Sequence, residues 1–342
     1  MSKHLKLFVA VCILIFPAIV LKAGEIVWKV SSSGKGQFKT IQEAIDHIPT
    51  APHEFISIHV DAGIYKEKLY IKKSNFELVG AGMDKTTITQ SIARDAWRCD
   101  HIDDWGVATV NVDSCSTINF KNLTIENNYG FENLEAIKIP CASDSTQFKL
   151  IQRNGHQMAF RSFFATKLKF VNCHFKAYGG DTMSPWNTTD GMFYLKDCVL
   201  EGGVDFYCPR GWAYAENCSF LSHTGVAAIW HDGSLHEDAK SVLVNCTFNG
   251  FDGFNLGRFH RDAQIYLIKC RFAANMSDTP IYQVKTTNVL SWPGRIYYYD
   301  CIKANSNKII FKNNLDEAKG NPIASNINAK WVFDNRWNPL SQ

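Results

Sequence analysis

A chain of 342 residues with 46% hydrophobic and 20% charged residues has enough apolar material for a sizeable core and is not a disordered polymer. A formal net charge of +3, with no concentrated Lys/Arg stripe and no aromatic-basic motif, points away from nucleic acid. Length alone permits two average domains, but a repeat architecture runs this long as one.

The chain opens with Lys3 and Lys6 ahead of an apolar run from Leu7 to Leu21, followed by Lys22, Ala23 and Gly24. This pattern predicts a signal peptide over residues 1–23, because the run is short for a membrane span and carries Pro17. The expected mature chain, 24–342, is a single domain that is secreted or periplasmic, monomeric and free of the membrane once the signal is removed. Phe38 to Ile48 places Phe38, Ile41, Ala44, Ile45 and Ile48 on one face, which predicts a short helix suited to cap the open end of a stack. Phe55 to Val60 alternates as a strand, and Ala62 to Ile71 supplies a turn and a further strand. Phe76 to Gly82 ends in glycines that permit a tight corner. Ala108 to Val112 and Ile118 to Asn127 begin a regular series of strands, and the polar stretch from Tyr129 to Asn154 reads as a loop excursion.

From there one short pattern recurs: FVNCHF, LKDCVL, AENCSF, LVNCTF, LIKCRF and YYDCIK. Their cysteines, Cys173, Cys198, Cys218, Cys246, Cys270 and Cys301, are spaced by 25, 20, 28, 24 and 31 residues, with Leu123 in the same slot upstream. Such a period marks a solenoid, and the tight apolar alternation makes its unit a short strand closed by a turn. The fold class is therefore all-β, a solenoid of short strands. An exported chain with this many thiols ordinarily forms disulfides, but a stacked ladder instead packs them as small buried hydrophobes. Cys99, Cys115, Cys141 and Cys208 lie outside the ladder and are expected to pair or face solvent. The tail from Ala304, with Trp331, Phe333 and Trp337, is expected to fold back over the last rungs.

Residues one period apart in a solenoid share a face. Gln157, Asp181 and Asp205 are spaced by 24 and 24 residues, so successive coils carry the two carboxylates at one place. Like charges that close push one proton affinity up, while a cation keeps the other low. Arg258, in NLGRF, is placed to be that cation and to grip a carboxylate bidentately. GGD and GGVD are also good turn strings, so on spacing alone the acids serve a turn as readily as a reaction. The glycines and apolar residues beside them favour a shaped site.

These residues resemble the pectin methylesterase family, from about Val30 to about Phe272. AGIYKEKL and ELVGAGMDKTTIT are similar to its first coils, and GHQMAFR resembles G-H-Q-A-V-A-L. GGDTM resembles Q-D-T-L, FYLKDCVLEGGVDF resembles the stretch ending V-D-F-I-F-G, and NLGRF resembles L-G-R-P-W. The resemblance implies a right-handed parallel β-helix and hydrolysis of methyl esters of polygalacturonate. In that scheme Asp205 is the nucleophile, Asp181 the general acid and base, Arg258 the residue that orients Asp205, and Gln157 an oxyanion donor. It implies no metal and no cofactor, and a methyl-esterified pectin or related uronan as partner. The departures are Gly180, where the family has a second glutamine, and Phe259 and His260, where it has Pro-Trp. A backbone N–H, Trp186, Asn187 or Arg210 is expected to replace the glutamine. Trp186, Arg210, Trp212, Trp230 and His260 are the expected sugar contacts. Two rivals use the same scaffold: a catalytically silent carbohydrate-binding protein, and a lyase or glycoside hydrolase.

Overall fold

The computed structural model describes residues 26–50, 52, 54–231, 235–305 and 311–341, so the expected signal peptide lies outside the described residues. Strands wind into successive coils that stack in parallel. One sheet runs through Ile26–Val30, Ile56–Val60, Phe76–Gly80, Ser116–Asn127, Thr166–Ala177, Met192–Lys196, Trp212–Glu216, Ser241–Val244, Ile265–Ile268 and Ile296–Tyr299. The last part of each rung forms a second parallel series, from Gly63–Tyr65 to Ile302–Lys303. A third face is built from Leu69–Ile71, Val110–Asp113, Phe160–Phe163 and Met183–Trp186, then from Ala227–His231, Asn255–Phe259 and Tyr282–Gln283. Isolated bridges at Tyr207 and Arg210 join the two halves of this face. This is a parallel β-helix, as the family resemblance implies, and a solenoid, as the repeat predicts.

The cysteine slot is the corner between the first two sheets. The residue before each ladder cysteine has a positive φ: Asn172 (53°), Asp197 (52°), Asn217 (54°), Asn245 (53°), Lys269 (54°) and Asp300 (51°). Asparagine and aspartate tolerate that left-handed turn best, which accounts for the recurrent Asn-Cys and Asp-Cys pairs. The turn carries each thiol inward, where Cys173 Sγ donates to Phe120 O at 3.3 Å and Cys301 Sγ to Leu267 O at 3.2 Å, both on the preceding coil. Two residues on, Phe175, Leu200, Phe220, Phe248 and Phe272 stack in register, and the Phe220 and Phe248 rings lie 4.4 Å apart.

All six ladder thiols are free, five of them buried and Cys301 partly exposed. Native protein should therefore resist alkylation at Cys173, Cys198, Cys218, Cys246 and Cys270, with Cys301 modified first. Burial raises the Cys173, Cys218 and Cys246 thiols, which withholds the reactive thiolate. Mass mapping of native protein treated with iodoacetamide checks this, and rapid labelling of all six would contradict the register. Outside the ladder, Cys99 and Cys141 form a disulfide. Cys115 and Cys208 correct the expectation, being free and buried, with the Cys115 thiol pushed up to about 12 by burial.

The early helix is Ile41–His47, and its Ile41, Ala44 and Ile45 enter the same core as the first coils. Thr40 Oγ1 accepts from Glu43 N at 3.2 Å, and the distant Glu67 carboxylate accepts from Ile41 N (2.9 Å) and Gln42 N (3.0 Å), so the first turn's open donors are satisfied. The excursion after Asn127 is not structureless: it holds a turn of helix, Tyr129–Glu132, and an antiparallel hairpin of Ile137–Pro140 with Phe148–Ile151. The disulfide pins it to the helix Arg94–Asp100. The tail reaches further than the last rungs. Val332, Phe333 and Trp337 pack on Tyr194, Trp212, Tyr214, Val242 and Tyr266 along the outer face of the first sheet, and Lys169 Nζ donates to Pro339 O. The reason is compositional, since those outward positions are apolar and need a cover.

Candidate active site

Asp181 and Asp205 occupy matching places on adjacent coils: Gly180 bridges Val204 in parallel, and Asp181 N donates to Val204 O at 3.0 Å. Both aspartates have left-handed backbones, with φ 57° and 48°. The kink turns both side chains away from the regular pleat, at a cost of about 1–2 kcal/mol each that aspartate bears better than most residues. Packing fixes the loop before Asp181. A Cβ on Gly179 would lie 1.9 Å from Gly155 O, so only glycine lets the coils approach this closely.

Arg258 sits two coils beyond Asp205 and reaches back across Trp230, its register partner. Its Nε donates to Asp205 Oδ1 at 3.0 Å and its Nη2 to Oδ2 at 2.7 Å, a bidentate grip on a carboxylate that is only 9% exposed. Burial raises the Asp205 pKa above its ordinary 3.8; Arg258 opposes the rise, Asp181 adds to it and His156 opposes it. Spacing led us to expect a low affinity for the arginine-paired carboxylate, and the direction is the reverse because desolvation outweighs the guanidinium. A more basic carboxylate is a better nucleophile once ionised. In return Asp205 holds the Arg258 guanidinium protonated more firmly.

The other expected site residues divide. Trp230 lies beside the Asp205–Arg258 pair, with the Arg258 guanidinium 5.3 Å from its ring and the His260 ring 4.8 Å away. Trp186 and Arg210 bridge one another five residues downstream of Asp181 and Asp205, roughly 15 Å along the strands. From there the Arg210 guanidinium reaches back, its Nη1 donating to Ser184 Oγ at 3.4 Å, three residues from Asp181. The Asn187 amide is engaged, donating to Asp190 Oδ1 (2.6 Å) and Ala165 O (3.2 Å). Trp186 instead makes a platform, 40% exposed, with the guanidinium groups of Arg161 and Arg210 at 4.8 and 4.6 Å from its ring. It edges a cleft of about 420 Å³ that Trp105, Phe163, Phe164, Asp104 and Arg161 also line. Trp212 is not on this face: it is buried under the tail, and its indole N–H donates to Asp334 Oδ2 at 3.0 Å. Gln157 lies next to the loop that carries Asp181, its N–H donating to Gly180 O at 2.8 Å and its Nε2 close against Gly179, with the amide turned into the protein. Wholly buried, it accepts from Gly130 N at 3.0 Å and donates to Arg153 O, which ties the excursion to the coil.

Sequence reasoning missed His156. It is an exposed imidazole whose Nε2 lies 3.8 Å from Asp181 Oδ1. It also missed a clasp behind the acid loop, where His174 Nε2 and His223 Nε2 meet the two oxygens of Glu201 at 3.0 and 2.8 Å and the His223 ring stacks 5.1 Å from Tyr178. Burial alone would raise the Glu201 carboxyl, but the hydrogen bonds and charges of the two histidines bring it down to about 2. A depressed carboxylate contributes stability that is complete above its ordinary 4.5 and is lost as pH falls toward about 2. Thermal unfolding of Glu201→Gln should therefore show a loss of about 3 kcal/mol near neutral pH that shrinks across that acid window. A deficit that stayed constant with pH would contradict the clasp.

The comparisons agree with this architecture. The Pectinesterase family model matches residues 27–166, upstream of both aspartates. A pectinesterase of Petunia integrifolia is 31% identical over 56% of this chain and 44% of its own length. Probable pectinesterase 55 of Arabidopsis thaliana is 28% identical over 74% of this chain and 71% of its own. The chain spans less than half the length of most of the pectinesterase relatives it matches, for example 35% of the Arabidopsis thaliana probable pectinesterase/pectinesterase inhibitor 23. Among solved structures, a pectin methylesterase of Erwinia chrysanthemi superposes with a TM-score of 0.69 at 20% identity, covering 92% of this chain and 98% of its own. A pectin methylesterase in complex with a hexasaccharide gives 0.68 at 20% identity, covering 91% and 98%. At that identity the structural likeness speaks for the fold: the chain has the parallel β-helix architecture of the pectin methylesterases and is similar in sequence to pectinesterases over part of its length.

Proposed function

We propose that the protein is a carboxylic ester hydrolase that removes methyl groups from esterified polygalacturonate. The observation that carries this reading is the bidentate Arg258–Asp205 pair beside Asp181 on the neighbouring coil. Asp205, ionised and aimed by Arg258, attacks the ester carbonyl carbon. As the carbon–methoxy bond breaks, Asp181 gives its proton to the departing oxygen and methanol leaves. Asp181, now a carboxylate, takes a proton from water, whose oxygen attacks the acyl carbon and returns Asp205 as a free carboxylate. Both acids are used and regenerated, so the cycle balances without another reactant.

Trp230, beside the guanidinium, and the Trp186–Arg210 platform provide aromatic faces and positive charge for a uronan chain. Export fits the leader pattern and the Cys99–Cys141 disulfide, which persists in an oxidising compartment. Purified protein incubated with methylated polygalacturonate should release methanol with no gain in reducing ends and no unsaturated uronate. Cleaved chains without methanol would instead indicate a hydrolase or lyase, and binding without any acyl release would indicate a silent lectin-like protein.

A further inference from the structure

The methoxy oxygen gains charge as its bond to the acyl carbon breaks, so a hydrogen-bond donor beside Asp181 would ease its departure, and most donors around the two carboxylates are already committed. Gly180 N donates to Gly155 O, Asp181 N to Val204 O and Asp205 N to Ala227 O. Gln157 is buried with its amide engaged at both ends, and the Arg258 Nε and Nη2 are on Asp205. His156 is different. Its side chain is 45% exposed, and its Nε2 lies 3.8 Å from Asp181 Oδ1, too long for a direct hydrogen bond. An oxygen atom at about 2.8 Å from each group would bridge the two.

The ring has its place because residue 180 has no side chain: a Cβ there would meet His156 Cδ2 at 2.7 Å. The imidazole thus lies over Gly180, beside Asp181. The backbone sets this orientation. His156 bridges Gly180 while Phe160 pairs with Met183, so four steps on one coil face three on the next. That extra residue turns Gln157 inward and leaves His156 outward.

We propose that His156 is a further catalytic residue, whose Nε2–H donates a hydrogen bond to the same oxygen that Asp181 serves, the departing methoxy oxygen first and the attacking water afterwards. His156 keeps its proton throughout, and the proton transfers remain those of Asp181. This rests on the esterase reading above.

The test is steady-state methanol release from methylated polygalacturonate by the full chain, its His156→Ala and His156→Gln variants, with thermal unfolding of each. His156→Ala should lower kcat on the order of 100-fold, leave KM within about threefold and leave the unfolding midpoint unchanged. His156→Gln, which restores an N–H at similar reach, should recover most of that loss. An active parent with a His156→Ala variant that keeps its kcat, or one that loses only KM, overturns the role of His156 and leaves the esterase reading intact. A Gln variant as impaired as the Ala variant also overturns it. A parent that releases no methanol overturns the esterase reading, and this proposal with it.

Discussion

Replacing Asp205 by Ala is expected to lower methanol release on the order of 10⁴-fold or more, while the protein stays folded. Removing a nucleophile removes the covalent route altogether, and what is left is the catalysis supplied by binding and by the neighbouring groups. The variant also frees Arg258, since both hydrogen bonds to Asp205 disappear. Arg258 is about a quarter exposed, with its side chain at 27%, so water can solvate the released guanidinium and limit the loss of stability. Asp205→Asn separates charge from shape: it keeps the volume and one acceptor, and is expected to be nearly as inactive as Ala. Circular dichroism and thermal unfolding beside the kinetics would show whether the loss is chemical.

Arg258→Ala should cost more in structure and change the pH dependence. It strands a carboxylate that is 9% exposed, and breaking a buried pair from one side costs about 3–5 kcal/mol, less whatever Asp205 recovers by taking up a proton. Burial already raises the Asp205 pKa and Arg258 opposes that rise. Without Arg258 the pKa moves higher still, so the acid limb of kcat/KM, which reports ionisation of the nucleophile, should shift to higher pH. Arg258→Lys keeps the charge but loses the fork, and should shift that limb less while still losing rate through poor aim. A pH–rate profile of the three proteins checks the sign. An acid limb that moved to lower pH in Arg258→Ala would contradict the electrostatic account.

The period of the cysteine rungs was enough to place Asp181 and Asp205 on adjacent coils and to put Arg258 on the same face, because a solenoid converts sequence spacing directly into height. That His156 rather than Gln157 is the exposed neighbour of Asp181 was not legible. One extra residue between His156 and Phe160 shifts which side chain is left exposed, and an inserted residue leaves no mark on a pattern read one strand at a time. The tail shows a related limit. Trp331, Phe333 and Trp337 declare that it packs, but its partners are the outward aromatics Tyr194, Tyr214 and Tyr266, which read in sequence as ordinary strand residues. Trp212 was assigned to the cleft for the same reason: an indole shows no side until the sheet and its cover are known. Cys99 and Cys141 stand 42 residues apart, one in the helix Arg94–Asp100 and the other in the excursion, so only their meeting in space identifies the pair.

The covalent role of Asp205 is the central claim, and mass spectrometry of protein quenched in acid during turnover on a methylated oligogalacturonate tests it most directly. The expected result is an acyl adduct on the peptide that carries Asp205, present during turnover and gone once substrate is exhausted, and absent from Asp205→Ala. An adduct on another residue, or undiminished methanol release by Asp205→Ala, would contradict it.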